Sequence, residues 1–591
     1  MDEANEWDVS VDSAEAAEPE SWPMRPLLLA LLGAVAGLVV HLLLPEHAQF
    51  SQLSGLQLAE IAGVITGAGV FGFTLERRSW LASLLFSAAT AVVAVGIVYW
   101  NGSPAAWSGG DAWRIGCLAI AIAIAAPLFQ AARDEGWVGF RYAAVHDRAW
   151  SNIVLWCACW AFVGIVFLLI LLLSELFRLI NLHFLSDLLR EKWFVLTLIG
   201  LAFGGALGLF REFDAVVRLL QRVVLTVLAV LAPVLGLGLA VFLLALPFTG
   251  LAPLWKSWVD STSLLLACVA GALILANTVI GNTPEHESRL LPLRIGAMVL
   301  AVAMLPLAVL AAVAIGMRID QYGFTPERLW ALTFVVLACA VGLAYLVSLV
   351  RGRMEWARYV RPANLNLAFG VCGVALLLAT PLISFNTIST NDQIARLNAG
   401  RITSDKFDWR ALAFDFGEPG KAALKKLTSS GNAAIKTRAI EATKAEHRWD
   451  LSAEPKQVFE VSNLRLLPQG STLPADLRDA VSSQEHCNGN AKCTLFFFPG
   501  GTEALLLPDA DINGREDQGN REFHTDNLVW MDRFVLKAGK WDLSDSQSLS
   551  QWEKDRSTEV FEGYRLGKIE TRPVQRRQIF IGGVPVGDAF E

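Results

Sequence analysis

SFNTISTNDQIARLNAGRITSDKFDWRALAFDF, Ser384–Phe416, is the stretch in which this chain changes solvent. Before it, apolar runs of about 20 residues recur, each long enough at 1.5 Å per residue to cross a hydrocarbon core of about 30 Å. After it, charges arrive every few residues and no run could span a bilayer. The reading that follows is a polytopic α-helical membrane bundle over residues 25–384, then an α+β extracytoplasmic domain over 385–591. Residues 1–24 read as a disordered acidic cytoplasmic tail.

Composition agrees with that partition. Of the 591 residues, 54% are hydrophobic and 18% charged, and the mean hydropathy is +0.44, which is membrane rather than soluble-enzyme composition. Nearly all Lys falls after residue 384. The formal charge of −7 owes much to the first 20 residues, which hold Asp and Glu but no Lys or Arg; a secretory signal would be basic there. Outside short loops no basic stripe with interleaved aromatics appears, which argues against nucleic acid as a partner.

Working back from the solvent switch, eleven spans are expected: 25–44, 58–75, 80–100, 113–132, 150–173, 193–210, 222–246, 261–280, 294–315, 329–349 and 365–384. The second carries Gly63, Gly67, Gly69 and Gly72, so its hydropathy is modest. Trp80, Trp100, Trp113, Trp150, Trp193 and Trp330 stand at span ends, where an indole suits the headgroup level. Orientation follows from alternate loops. Arg25, Arg77, Arg78, Arg133, Arg141, Arg148, Arg211, Arg218, Arg289, Arg294, Arg351, Arg353, Arg358 and Arg361 make one side about twice as rich in Lys and Arg as the other and assign it to the cytoplasm. The N-terminus is then inside and the C-terminal domain outside. Between two spans, Leu176, Phe177, Ile180, Phe184 and Leu188 recur at helical spacing. They fit an amphipathic helix on the interface, or an extension of the fifth span into water.

Beyond the switch, residues 391–427 read as helix broken at Gly400 and Gly417. Strands are expected at Val458–Val461, Thr494–Phe498, Leu528–Leu536 and Gln578–Val584, with a PGG turn at 499–501. Cys117, Cys157, Cys159, Cys268, Cys339 and Cys372 sit in apolar runs as small hydrophobes. Cys487 and Cys493 bracket a polar loop that a disulfide can close, an arrangement suited to an oxidising compartment. A zinc site there would need His486 and His524 as further ligands.

Motifs for catalysis, cofactors or metals are missing from the sequence: no HExxH, GxSxG, phosphate loop or dinucleotide fingerprint occurs. Asp509 with Asp511, and Asp542 with Asp545, read as turn acids. Polar groups in or beside the spans are the remaining candidates, because each is costly in hydrocarbon. They are His146, Asp147 and Arg148 at the entry to the fifth span, Asn152 within it, Glu175 with Arg178 near its end, and Asn277 in the eighth. Pro233, Gly236 and Gly238 in the seventh span and Pro306 in the ninth read as helix interruptions. Such interruptions serve either substrate binding in a transporter or mere kinks and packing notches.

HDRAWSN at 146–152, FLLILLLSELFRLINLHFLSDLL at 167–189, LALPFTGLAPLW at 244–255, LILANTVIGN at 273–282 and QYGFTPERLWAL at 321–332 resemble the bacterial multi-pass membrane family catalogued as domain of unknown function 4153. ISTNDQIARLNAGRITSDKFDWRALAFDFGEPGKAAL at the junction resembles the way that family leaves its last helix. The resemblance covers residues 25–427 and implies a bacterial inner-membrane protein; it brings no catalytic residue with it. The expected function is an envelope scaffold, sensor or assembly factor, its partners the bilayer and an envelope protein or lipid. A transporter or lipid flippase, and a lipid-linked transferase using Glu46, Glu60 or Asp111, are the alternatives.

Overall fold

The computed structural model describes residues 22–45, 50–108, 110–250, 261–451, 461–483, 487, 492–509, 530–537, 539–548, 566, 577–581 and 584–590. Hydrocarbon offers no partner for backbone N–H and C=O groups, so an apolar run that enters it must satisfy them within itself, as a helix. Among the described residues, 11 helices are long and apolar enough to span. They are α1 (Arg25–Leu43), α2 (Gly55–Thr74), α3 (Trp80–Asn101), α4 (Asp111–Asp134), α5 (Tyr142–Arg178), α7 (Lys192–Glu212), α8 (Asp214–Thr249), α9 (Ser261–Ile280), α10 (Leu291–Tyr322), α11 (Pro326–Gly352) and α12 (Ala357–Ala379). The short helix α6 (Phe184–Arg190) lies between α5 and α7. In that connection α5 carries Leu176 and Phe177 on to Arg178, and Phe184 and Leu188 belong to a separate seven-residue helix.

Local sequence sets several helix starts. Ser54 and Gln57 form a reciprocal capping box at the head of α2, and Thr325 accepts from Arg328 N at the head of α11. Most span-end tryptophans are exposed, as headgroup anchors should be, but Trp330 is a correction. It is 5% exposed and packs inside the bundle against Trp113 and Phe385.

The tightest packing joins α1 to α7. A Cβ on Gly33 would lie 1.9 Å from Gly200 O, one on Gly204 2.0 Å from Leu29 O, and one on Gly208 2.5 Å from Pro26 Cα. Gly200, Gly204 and Gly208 repeat every fourth residue, which puts them on one face and lets the two backbones touch. A second close crossing joins α8 to α10, where a Cβ on Gly296 would lie 2.7 Å from Pro233 Cα. The expected interruptions are therefore corrected: α8 runs unbroken through Pro233, Gly236 and Gly238, and α10 through Pro306. The missing proline N–H is tolerated, and Gly296 supplies a notch in which the Pro233 backbone packs. The main core gathers around α10, whose Leu300, Met304, Leu307, Ala308 and Ala311 are fully buried among α8, α9, α11 and α12.

The compact unit does not end where the apolar runs end. It continues to Leu451, and a second unit begins at Ser452; the expected boundary between residues 384 and 385 is therefore corrected, and residues 385–451 group with the bundle. Ser384 caps α13 (Phe385–Asn398). From α13, Gln393 donates to Tyr322 O and Phe324 O at 2.9 and 3.0 Å, Asp392 accepts from Phe324 N at 2.8 Å, and Arg396 donates to Asp320 O and Gln321 O. Gly400, at φ 68°, ends this helix, and Gly417, at φ 60°, opens α14 (Gly417–Leu427). Between them Ala411–Asp415 form a π-helical turn. With α15 (Ala433–Lys444) these segments enclose Leu397, Phe407, Trp409, Leu412, Phe416, Leu424 and Ala439. We call residues 385–451 the platform.

The second unit holds a five-stranded sheet of order β1-β2-β3-β4-β5, with β1 (Leu464–Leu467), β2 (Lys492–Phe497), β3 (Glu503–Asp509), β4 (Trp530–Lys537) and β5 (Lys540–Ser548). β1 and β2 are parallel and α16 (Ala475–Ser482) lies between them in the chain; the other pairs are antiparallel. Pro499, Gly500 and Gly501 turn β2 into β3, with Gly500 at φ 105°. Leu477, Val481, Leu495, Leu506 and Phe534 form the core. β6 (Arg577–Ile581) and β7 (Val584–Phe590) make a separate hairpin. The strand expected to end at Val461 is corrected, since Val461–Asn463 form a 3-10 turn and the strand begins at Leu464; residues 458–460 lie outside the described ones. Asp542 and Asp545 stand on β5 rather than in a turn.

Two outcomes follow. Gly204→Leu should destabilise the purified protein by about 2 kcal/mol or more in detergent unfolding, whereas Gly238→Ala, beside which an added Cβ meets nothing, should be neutral. Burial pushes the Asp415 carboxyl above its ordinary 3.8 by more than Arg448, 2.5 Å away, pulls it down. The folded state thus holds that proton more tightly than the unfolded one, and Asp415 makes stability fall as pH rises from 3.8 through the folded value. Unfolding measured across that range should lose this slope in Asp415→Asn.

Candidate functional site

Helix ends at the arginine-rich rim, where α1, α3, α5, α8, α10 and α12 begin, are fastened by charge. Glu76, just past α2, accepts from Arg25 at 3.2 Å and from Arg211 at 2.6 Å. Arg211 also donates to Gly72 O at 2.7 Å, and Trp22 N donates to Glu212 at 2.9 Å. Beside them Asp134 pairs with Arg133 at 2.8 Å and Arg148 at 2.6 Å. Arg133, 4% exposed at its side chain, donates to Thr74 O and to Ser83 Oγ. Asn152 donates to Gln130 Oε1 at 2.8 Å, and Gln130 donates to Phe73 O.

A second polar cluster joins α5, α9, α11 and α12. Asn277 donates to Tyr345 OH at 2.8 Å and Leu273 O at 2.8 Å, and Asn364 donates to Asn277 Oδ1 at 2.7 Å. Tyr142 OH stands 3.5 Å from both Asn277 Oδ1 and Asn364 Nδ2. One turn before Asn364, Arg361 donates to Ile280 O at 2.8 Å and Thr283 O at 3.1 Å and faces Glu287 at 3.4 Å. A guanidinium there satisfies carbonyls at the C-terminus of α9, where the helix dipole favours a cation. Asp147 accepts from Asn282 at 2.7 Å.

His146 is the member of this corner whose polar atoms are unused. Its side chain is 9% exposed, neither ring nitrogen has a hydrogen bond, and the nearest acid, Asp147, is 3.8 Å away. Tyr142 and Trp150, one turn to either side, hold the ring at centroid distances of 5.4 and 6.4 Å.

The structure thus brings His146, Asp147 and Asn277 to one corner. It turns Arg148 and Asn152 the other way, toward α4. Glu175 lies at the far end of α5, 61% exposed, and pairs with Arg178 at 3.0 Å. Cys487 and Cys493 are joined with Cα atoms 5.9 Å apart; His486 and His524 lie outside the described residues. Among the described residues no group of three or more His, Cys, Asp or Glu is placed to hold a metal ion.

Tyr142, Tyr345, Asn364 and Glu76 escaped the sequence reading, in which Arg361 figures only as a mark of the cytoplasmic side. Tyr345, the one phenol in an otherwise apolar run, and Asn364 in PANLN carried a usable signal, polarity at membrane depth. Glu76 gives no such signal, standing beside Arg77 and Arg78 in what reads as an ordinary charged loop.

The family described as Domain of unknown function (DUF4153) matches residues 62–415. The chain belongs to this family. No curated protein and no solved structure matches it. The DUF4153 segment contains the whole cluster around Asn277 and reaches into the platform as far as Asp415. The cluster's Tyr and Asn groups exchange hydrogen bonds without changing charge, which suits holding four helices in register more than acid–base chemistry.

Removing these fastenings should therefore cost stability. Tyr345→Phe should lower unfolding free energy by about 0.5–1.5 kcal/mol, the range of interhelical hydrogen bonds in membranes. Glu76→Gln should cost more, about 2 kcal/mol or more, because Arg25 and Arg211 are then left without their carboxylate. Both are read by denaturation in detergent.

Proposed function

We propose that this DUF4153 protein is an integral inner-membrane scaffold of the bacterial envelope that presents its C-terminal unit outside the cytoplasm, for sensing or for assembling an envelope partner. The observation that carries the reading is the platform. Asp392, Gln393 and Arg396 bind it to the backbone of residues 320–324, and Asn386 reaches Ser108 Oγ at 3.3 Å and Asp111 Oδ1 at 3.4 Å. A bundle that only moved a solute would not need its outgoing chain so firmly based. An odd number of crossings puts this rim opposite the arginine-rich one, and the positive-inside rule then assigns the platform to the periplasmic side. The Cys487–Cys493 pair suits the same side.

The alternatives have less support. A transporter or flippase built on interrupted helices loses its motive, since α8 and α10 are continuous. For a lipid-linked transferase, Asp111 is already engaged by Ser108 N at 3.0 Å and by Asn386, and Glu46 lies outside the described residues.

Alkaline phosphatase fused after residue 591 should be active and a fluorescent protein fused there dark, with the reverse at a fusion in the loop at 135–141. A fluorescent C-terminal fusion would overturn the placement. Mild-detergent purification should recover a recurrent envelope partner that is lost when residues 452–591 are removed; a chain that always emerges alone would overturn the scaffold.

A further inference from the structure

At the arginine-rich rim most guanidinium groups have partners. Arg25 and Arg211 share Glu76, Arg133 and Arg148 share Asp134, and Arg294 and Arg361 share Glu287. Arg289, Arg351, Arg353 and Arg358 differ. All four are exposed, and among the described residues no side-chain hydrogen bond or ion pair reaches their guanidinium groups.

They converge on one corner. Arg294 donates to Met354 O at 2.8 Å, which ties the start of α10 to the turn between α11 and α12, and its 3.6 Å approach to Glu287 brings in the segment carrying Arg289. Gly352 lies under the Tyr359 ring, where a Cβ would meet Cδ2 at 2.8 Å. Arg353 adopts φ 48°, a left-handed conformation uncommon for a residue with a side chain. Around the arginines, Leu290, Leu291, Val350, Met354 and Tyr359 are exposed apolar groups. The corner thus combines unpaired cations with greasy surface at a helix-end rim, where headgroups meet acyl chains.

We propose that Arg289, Arg351, Arg353 and Arg358 bind the headgroup of an anionic phospholipid carrying two phosphates, taken from the leaflet at this rim. Guanidinium groups match phosphate oxygens in pairs, and basic pockets between transmembrane helices hold such headgroups. Taken two to a phosphate, four guanidinium groups accommodate two phosphates, and they outnumber the exposed carboxylates Glu285 and Glu355 nearby. The apolar surroundings select a lipid over a soluble anion, because they offer the acyl chains a contact that a free phosphate cannot use.

The test is thermal unfolding of the full-length chain in detergent with added cardiolipin, phosphatidylglycerol at equal phosphate, phosphatidylcholine, or inorganic pyrophosphate. Cardiolipin should raise the midpoint by about 3–5 °C, phosphatidylglycerol by less, and the other two not at all. R351Q/R353Q/R358Q should lose the cardiolipin shift, while R77Q, which removes an exposed arginine at another loop of the same rim, should keep it. Should the triple variant fail to purify, R353Q and R358Q singly should each lose part of the shift. Equal shifts with every lipid, a shift reproduced by pyrophosphate, a cardiolipin response unchanged in the arginine variants, or an equal loss in R77Q would each overturn the proposal.

Discussion

Hydrocarbon cannot hydrogen-bond, and that single property governs the larger unit of this protein. Inside the bilayer it forces every backbone polar group into a helix, and it drives charge to the two rims. Once there, arginines find carboxylates or helix-end carbonyls, so the rim that seemed from sequence to record only topology also does mechanical work. Glu76 joins α1, α2 and α7; Asp134 joins α4 to α5; Arg361 closes the end of α9. Away from those charges, shape takes over in the glycine contact of α1 with α7, while neutral hydrogen bonds around Asn277 join four helices one turn in from Arg361.

The spans were legible because their signal is an average over about 20 residues, and averages survive local irregularity. The sheet was less so, because a strand declares itself over only a few residues. β5 illustrates the difficulty: KWDLSDSQS is polar almost throughout, and Trp541 is the buried side chain among those described in it. Its aspartates therefore looked like turn residues. The prolines misled for another reason. Pro233 and Pro306 break helices in water, but inside a bundle a neighbouring glycine such as Gly296 gives the backbone room to continue.

The candidate site was half legible. Asn277, His146 and Asp147 stand out as polar residues in or beside apolar runs; Tyr142 lies between His146 and Asn277, and Asp147 bonds Asn282 instead. What sequence could not supply was which way each residue faces. Arg148, one position after Asp147, is rotated by about 100° around α5 and serves Asp134 on α4 instead. Tyr345 and Asn364 lie 68 and 87 residues from Asn277 in the chain, a separation at which pattern says nothing about contact.

The boundaries of the family match are not folding boundaries. The matched segment begins at residue 62, inside α2, and leaves out α1. Yet Gly200, Gly204 and Gly208, which lie within it, make sense only if another backbone rests against them, and that backbone belongs to α1. At the other end the match stops at Asp415, where Leu412 and Ala413 are already buried against α14 and α15, beyond the match. Cut at either limit, the segment would expose a glycine groove on one side and an apolar platform face on the other. The body that folds is therefore larger than the matched segment, and α1 and the rest of the platform are part of it.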